Sequence, residues 1–122
     1  VVGVQQIAHG LNGYPGGDST GEGIGYGAAT GLKVRLSVQD SYGAAYSYND
    51  TIGVALNLDD GEITFYLNGE SQGVAYTGLA GTGTWYPSWG NGASAASGTA
   101  SADFGGLRFS YPVPAGYNAG VY

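Results

Sequence analysis

The alternation of apolar and polar residues along the chain predicts β-strands. The clearest run covers residues 51–58, in which every second side chain is aliphatic and the intervening positions are Gly53, Ala55 and Asn57. A period of two gives a strand one apolar face. That face consists of Ile52, Val54, Leu56 and Leu58. No window of a dozen residues has apolar positions at helical spacing without an intervening Gly or Pro, so the pattern predicts an all-β fold.

Two turns predict that this strand opens a three-stranded meander. Asp60-Gly61 follows the first strand, residues 62–67 alternate again, and Asn68-Gly69 precedes a third strand at 72–76. Asp-Gly and Asn-Gly favour primed hairpin turns, because Gly adopts positive φ at no steric cost. The registers of the three strands are therefore expected to be set by two tight turns.

Six weaker strands raise the expected number to about nine, which is typical of a sandwich or a barrel. They are predicted at residues 1–7, 23–29, 32–36, 84–89, 100–104 and 107–111. Three stretches lack a strand pattern, at 11–21, 40–49 and 91–99. We expect them to be loops, where binding residues on a rigid scaffold usually lie.

Composition narrows the classes of function. The 122 residues suit a single domain, and the absence of Cys excludes disulfides and Cys-based metal sites. Three basic side chains against nine acidic ones argue against nucleic acid and anionic membranes as partners, since both require clustered cations. We find no apolar run of the roughly 18 residues that a membrane span needs and no signal peptide. A charged fraction of 10% suits a β-rich extracellular or virion protein.

The segment NDTIGVALNLDDGEITFYLNG, residues 49–69, resembles the central signature of SPRY domains. That signature reads Gly-Asp-x-Ile-Gly-x-x-Leu-Asp-Leu-Asp, a turn Gly, then Ile-Ser/Thr-Phe-Tyr-x-Asn-Gly. Four further segments resemble family elements in the same order. These are SQGVAY (71–76), WYP (85–87), ADFG (102–105) and the closing FSYPVPAGY (109–117).

This resemblance implies a bent antiparallel β-sandwich of the concanavalin A-like jelly-roll type that acts as a binding module without chemistry of its own. Family members normally begin with a further strand or strand pair, which is missing before Val1. We therefore expect residues 1–122 to be one SPRY-like domain of a longer polypeptide, or a domain whose sheet a neighbouring chain completes. The Gly-, Ala-, Ser- and Thr-rich loops without Cys or Met are similar to SPRY copies in tailed-bacteriophage tail fibres, adhesins and head decorations.

No convergent catalytic or metal-binding pattern is visible. The acidic residues Asp59, Asp60 and Glu62 bracket a predicted turn, which favours a solvated turn over a glycosidase carboxylate pair or a calcium loop. His9 is the single histidine, so a site with two imidazoles is excluded. We expect no catalytic residue, no metal and no cofactor.

Alternating glycines at 21, 23, 25 and 27 superficially resemble a phosphate-binding loop, but no helix follows to supply the anion site. Alternating Gly leaves one face of a strand bare. The pattern therefore predicts that another backbone or an aromatic ring approaches closely over that face.

The candidate ligand contacts are tyrosines in the predicted loops, together with Trp89 and Asn91, which flank the third loop. Tyr presents a large amphipathic surface at low entropic cost, which suits sugar and protein recognition. The alternative is that two of the loop tyrosines fold back into the core, and Trp85 is expected there as well. The predicted ligand-binding residues are Tyr14, Tyr42, Tyr46, Tyr48, Trp89 and Asn91.

These observations lead to two hypotheses. The first is a non-enzymatic module of a phage virion protein that recognises a host-surface glycan or protein through its loop surface. The alternative is a structural capsid or tail decoration protein that acts through contacts with neighbouring virion subunits, as open sheet edges invite strand addition. Both place the chain at the virion surface in an oligomeric assembly, without nucleic acid or membrane insertion.

Overall fold

The computed structural model describes residues 1–6, 13–19, 22–91, 98–105 and 109–120, and these form two antiparallel sheets without a helix. No described segment could therefore cross a membrane as a helix. The strands are β1 (Val2–Gln5), β2 (Gly23–Tyr26), β3 (Leu32–Arg35), β4 (Val38–Ser41), β5 (Ile52–Asn57), β6 (Glu62–Leu67), β7 (Glu70–Tyr76) and β8 (Tyr86–Trp89). The all-β sandwich expected from the sequence is confirmed.

The strands are ordered β4-β3-β2-β1-β8 in one sheet and β5-β6-β7 in the other. The second sheet is the predicted meander. Its Asn68-Gly69 turn has φ of 50° and 83°, as a primed two-residue hairpin requires.

The turn between β5 and β6 differs from the predicted primed turn. It is a four-residue loop from Leu58 to Gly61, in which only Gly61 has positive φ. The Asn57 side-chain oxygen accepts the amides of Asp59 and Asp60, both at 3.1 Å. These two hydrogen bonds hold Asp59 and Asp60 in a turn in which a single residue, Gly61, needs positive φ.

Strand β4 was not predicted, because its first two residues follow a turn without glycine and its last two fall in the predicted loop 40–49. Leu36 and Ser37 both have positive φ, which is uncommon for residues with a Cβ. The Ser37 amide donates to the Gly16 carbonyl at 2.8 Å, and its hydroxyl donates to the Gly17 carbonyl at 2.7 Å. Contacts distant in sequence thus stabilise the turn.

The strand predicted at 100–104 is wrong, and the described part of the one predicted at 107–111 is also irregular. Residues 107–108 lie outside the described segments. The Gly105 amide donates to the Asp103 carboxylate at 2.9 Å, a local turn that competes with strand pairing. Tyr111 instead lies against the β6–β7 hairpin, where a Cβ at Gly69 would be 2.6 Å from its ring.

The core lies between the two sheets. Ile24 and Tyr26 of one sheet meet Ile63 and Phe65 of the other, and all four are fully buried. The Tyr26 and Phe65 ring centroids are 5.4 Å apart. Further members of this cluster are Val4, Ala75, Leu79 and Trp85, so the core position expected for Trp85 is confirmed.

The predicted apolar face of β5 is only partly covered. Ile52 and Leu56 pack against the core, whereas Val54 and Leu58 remain exposed. β5 is an edge strand of the three-stranded sheet.

Candidate ligand-binding site

At the centre of the outer face of the five-stranded sheet, β1 and β2 present glycines. One row of directly paired residues on this face runs Ser88, Gly3, Gly25, Val34 and Gln39 across the five strands. A Cβ at Gly25 would lie 2.4 Å from the Pro15 carbonyl oxygen. The close backbone approach predicted from the alternating glycines is therefore confirmed.

The segment that approaches is the turn from Tyr14 to Gly17. The Gly17 amide donates to the Tyr14 carbonyl at 3.0 Å, Pro15 is the second residue, and Gly16 has a φ of 84°. Proline followed by a glycine of positive φ is the pattern of a type II turn. Pro15 and Gly16 are buried against the sheet.

Tyr14 is held at the edge of this turn. A Cβ at Gly17 would be 2.9 Å from the Tyr14 ring, and a Cβ at Gly90 would be 2.8 Å from the Tyr14 Cα. Both positions must therefore lack a side chain for Tyr14 to lie where it does. Gly90 is fixed in turn by backbone hydrogen bonds with Val1, each 3.0 Å long.

Beside this turn lies a cleft of about 350 Å³, which we call the outer-face cleft. The turn after β2, residues 27–30, forms one side of it, and Leu32 and Val34 of β3 supply apolar surface. Its polar side chains are Tyr14, Thr30, Gln39 and Asn91. No Asp, Glu, Lys or Arg is among its lining residues.

The basic side chains of β3 lie on the opposite face of the sheet. The Lys33 ammonium donates to the Ala75 carbonyl at 2.8 Å and lies 4.8 Å from the centre of the Tyr76 ring. Arg35 pairs with Glu22 at 3.0 Å. These two cations therefore connect elements of the sandwich, and neither lines the outer-face cleft.

Two of the six predicted ligand residues meet in the outer-face cleft. Tyr14 and Asn91 are far apart in the sequence, and both line it. Thr30 and Gln39 were not predicted as site residues. Gln39 lies on β4, the strand that the sequence pattern did not reveal, and Thr30 carried no motif.

Tyr42 and Tyr46 instead pack against the core, as the structural alternative for the loop tyrosines expected. The Tyr42 hydroxyl donates to the Gly73 carbonyl and accepts the Phe65 amide at 3.1 Å. The Tyr46 hydroxyl donates to the Tyr26 carbonyl at 2.7 Å, and burial raises the Tyr46 pKa to about 12. Both hydroxyls bond to backbone groups of the sandwich, and a role of these two partly buried residues as ligand contacts stays a prediction.

Tyr48 and Trp89 are exposed but lie outside the cleft. Tyr48 is 89% exposed, and its turn is fixed by the Asp50 carboxylate, which accepts hydrogen bonds from Asn68 and Ser47 at 2.8 Å each. These bonds lower the pKa of Asp50. Trp89 is 55% exposed and pairs with Val2, in the row of residues that faces the sandwich interior. Their role as ligand contacts stays a prediction.

The acidic residues Asp59, Asp60 and Glu62 lie at the connection between β5 and β6. Across the described segments, no group of three or more His, Asp or Glu residues is placed to hold a metal ion. His9 lies outside the described residues.

The described residues thus form a β-sandwich with exposed aromatic side chains and a small cleft that no charged side chain lines. The SPRY domain family matches residues 2–102, and the chain belongs to this family. SPRY domains are typically protein-interaction modules. The family assignment made from residues 49–69 and the following segments is thus confirmed.

A probable ATP-dependent RNA helicase of Dictyostelium discoideum is similar over part of the chain. The two are 40% identical over 63 residues, which is 52% of this chain and 8% of the helicase. The chain therefore spans a small part of that relative's length.

Proposed function

We propose that the chain is a non-enzymatic binding module of a phage virion protein that recognises a host-surface glycan or protein. The observation that carries this proposal is the convergence of Tyr14 and Asn91 in the outer-face cleft. Membership in a family of interaction modules supports it, as does the exposure of Tyr48 and Trp89. Composition supports the virion assignment, because a Gly-rich surface with few charges suits an extracellular β-protein.

Immunogold labelling of native particles, together with the intact mass of the polypeptide that carries the chain, tests this proposal. We expect label on tail appendages and a mass above the 12.3 kDa of the chain. We also expect the purified chain to bind host cells and to compete with particle attachment. Absence of label from particles, or label without any binding to host cells, would contradict it.

A decoration protein is the second candidate, favoured by the open edges of the five-stranded sheet. β4 and β8 end that sheet, and each has a neighbouring strand on one side only among the described residues. Val38 on β4 is 59% exposed and Trp89 on β8 is 55% exposed. Open edges with exposed apolar side chains favour pairing with another chain. A particle reconstruction that buries more than roughly 1,000 Å² at these edges would favour this candidate.

A further inference from the structure

We infer that the outer-face cleft binds a neutral saccharide unit. This inference rests on the proposed function and deepens it, because it names the ligand class and the part of the surface that binds. Both the loop surface in general and the exposed aromatics at Tyr48 and Trp89 are competing locations.

The cleft has dimensions suited to a small ligand. Its volume of about 350 Å³ lies at the small end of the roughly 300–1,000 Å³ typical of small-molecule sites. It combines apolar surface from Leu32 and Val34 with a few polar groups at its margin. A sugar ring has the same division, with apolar C–H groups on its faces and hydroxyls around its edge.

The polar groups match hydroxyl chemistry. The Gln39 side chain carries an amide that both donates and accepts, and the Thr30 hydroxyl also does both. A saccharide hydroxyl likewise donates and accepts, so these groups can serve it in either role. Gln39 and Thr30 are exposed, and their polar atoms are therefore accessible to a ligand.

The turn that carries Tyr14 is held in place by bonds from another part of the chain. Tyr14 opens the Pro15-Gly16 turn, and Ser37 binds this turn through two hydrogen bonds to Gly16 and Gly17. An aromatic ring with little freedom loses little entropy when a ligand stacks on it. This favours a planar or ring-shaped ligand with an apolar face.

Charge favours a neutral sugar over an acidic one. Recognition of carboxylate, sulfate or phosphate groups depends on charge-assisted hydrogen bonds, usually from Arg or Lys. The cleft has no such side chain, since Lys33 and Arg35 are engaged on the other face of β3. The chain also carries a net charge of -6, which disfavours anionic ligands.

The test is binding of the whole chain to an array of neutral, sialylated and uronic-acid oligosaccharides, followed by affinity measurements on the best neutral one. We expect Gln39→Ala and Asn91→Ala each to weaken this binding roughly tenfold, the loss of one or two hydrogen bonds. Val38→Ala is the matched control, because Val38 neighbours Gln39 on β4 but lies on the other face. Val38→Ala should leave affinity unchanged, Tyr48→Ala tests the competing location at Tyr48, and thermal melting should show that all four variants fold.

The outcomes separate this inference from the proposed function. Neutral binding that survives both cleft changes, or binding restricted to acidic glycans, overturns the cleft assignment while the module remains a glycan binder. Loss of binding in Tyr48→Ala alone overturns it in the same way. An array without any bound glycan overturns the inference, and attachment of the chain to host cells then decides the proposed function independently.

Discussion

The two faces of the five-stranded sheet differ in composition along β2. The inner face presents Ile24 and Tyr26, which are fully buried against the second sheet. The outer face presents Gly23 and Gly25 from the same strand, and the turn at Pro15 lies directly on them. Because side chains alternate between faces, the four residues of β2 supply two core side chains on one face and two glycines on the other.

This difference shows how a small sandwich can form a cleft without a large loop. Bare glycine positions allow the Tyr14–Gly17 turn to approach the sheet closely, and the cleft opens beside that turn. The inner face packs in the core, and the outer face carries the cleft in which we propose that a ligand binds. Substitutions on the two faces should therefore have different consequences.

The largest effect is expected on the inner face. Ile24→Ala should lower the free energy of unfolding by about 2–5 kcal/mol, because it removes buried methyl groups and leaves a cavity. Urea unfolding followed by circular dichroism measures this loss. Val38 lies in the same cross-strand row as Ile24, joined to it through Arg35, but its side chain is exposed. Val38→Ala should therefore change the free energy of unfolding by less than about 0.5 kcal/mol. Equal losses in the two variants would contradict the assignment of the core.

On the outer face, Gly25→Ala should cost about 1–3 kcal/mol, because its Cβ would meet the backbone oxygen of Pro15. It should also lower the affinity of any ligand that binds in the outer-face cleft, since the Tyr14–Gly17 turn must move. Gly98→Ala is the control, as a Cβ at Gly98 meets no atom of the described residues within 4 Å. If both alanine variants melt at the temperature of the unmodified chain, the close approach of the turn is wrong.

The tyrosines of the 42–48 segment should separate into structural and exposed classes. Tyr42→Phe should cost about 1–2 kcal/mol, because the Phe65 amide and the Gly73 carbonyl each lose a partner. Tyr48→Phe should have no measurable effect on urea unfolding. A stable Tyr42→Phe variant that fails to bind ligand would return Tyr42 to the candidate site.

The smallest effect concerns alkaline pH. Burial raises the pKa of Tyr46 to about 12, from 10.0, and burial also raises the pKa of Tyr26, Tyr42 and Tyr76. The folded chain therefore holds these protons when the unfolded chain releases them. Their contribution to stability is complete below pH 10 and is lost as pH rises from 10 towards 12. The urea midpoint should be lower at pH 11 than at pH 8. This difference should be smaller in Tyr46→Phe than in Tyr48→Phe. Identical pH dependence in the two variants would contradict this account.

Local signals explain which parts of the fold could be predicted. Asn68-Gly69 and the alternation in residues 62–67 encode the second hairpin of the meander locally, and the structure has that hairpin. β4 could not be predicted because Leu36 and Ser37 adopt positive φ through bonds to Gly16 and Gly17. Such bonds depend on the complete fold.

The candidate site was predictable only in part for the same reason. Tyr14 and Asn91 were identified by residue type and loop position, but their meeting depends on the pairing of β1 with β2 and β8. Gln39 joins them because β4 pairs with β3 at Val34. Tyr42 and Tyr46 share the residue type and loop of Tyr48, and only packing on Tyr26 distinguishes them.

The central claim is that the inner face holds the fold together while the outer-face cleft receives the ligand. Amide chemical shifts of the whole chain, recorded while methyl glycosides of glucose, galactose and N-acetylglucosamine are added, test it most directly. The account predicts saturable shifts for at least one sugar at Thr30, Leu32, Val34, Gln39 and Asn91. Shifts confined to the segment around Tyr48, or no saturable shift with any of the three sugars, would contradict it.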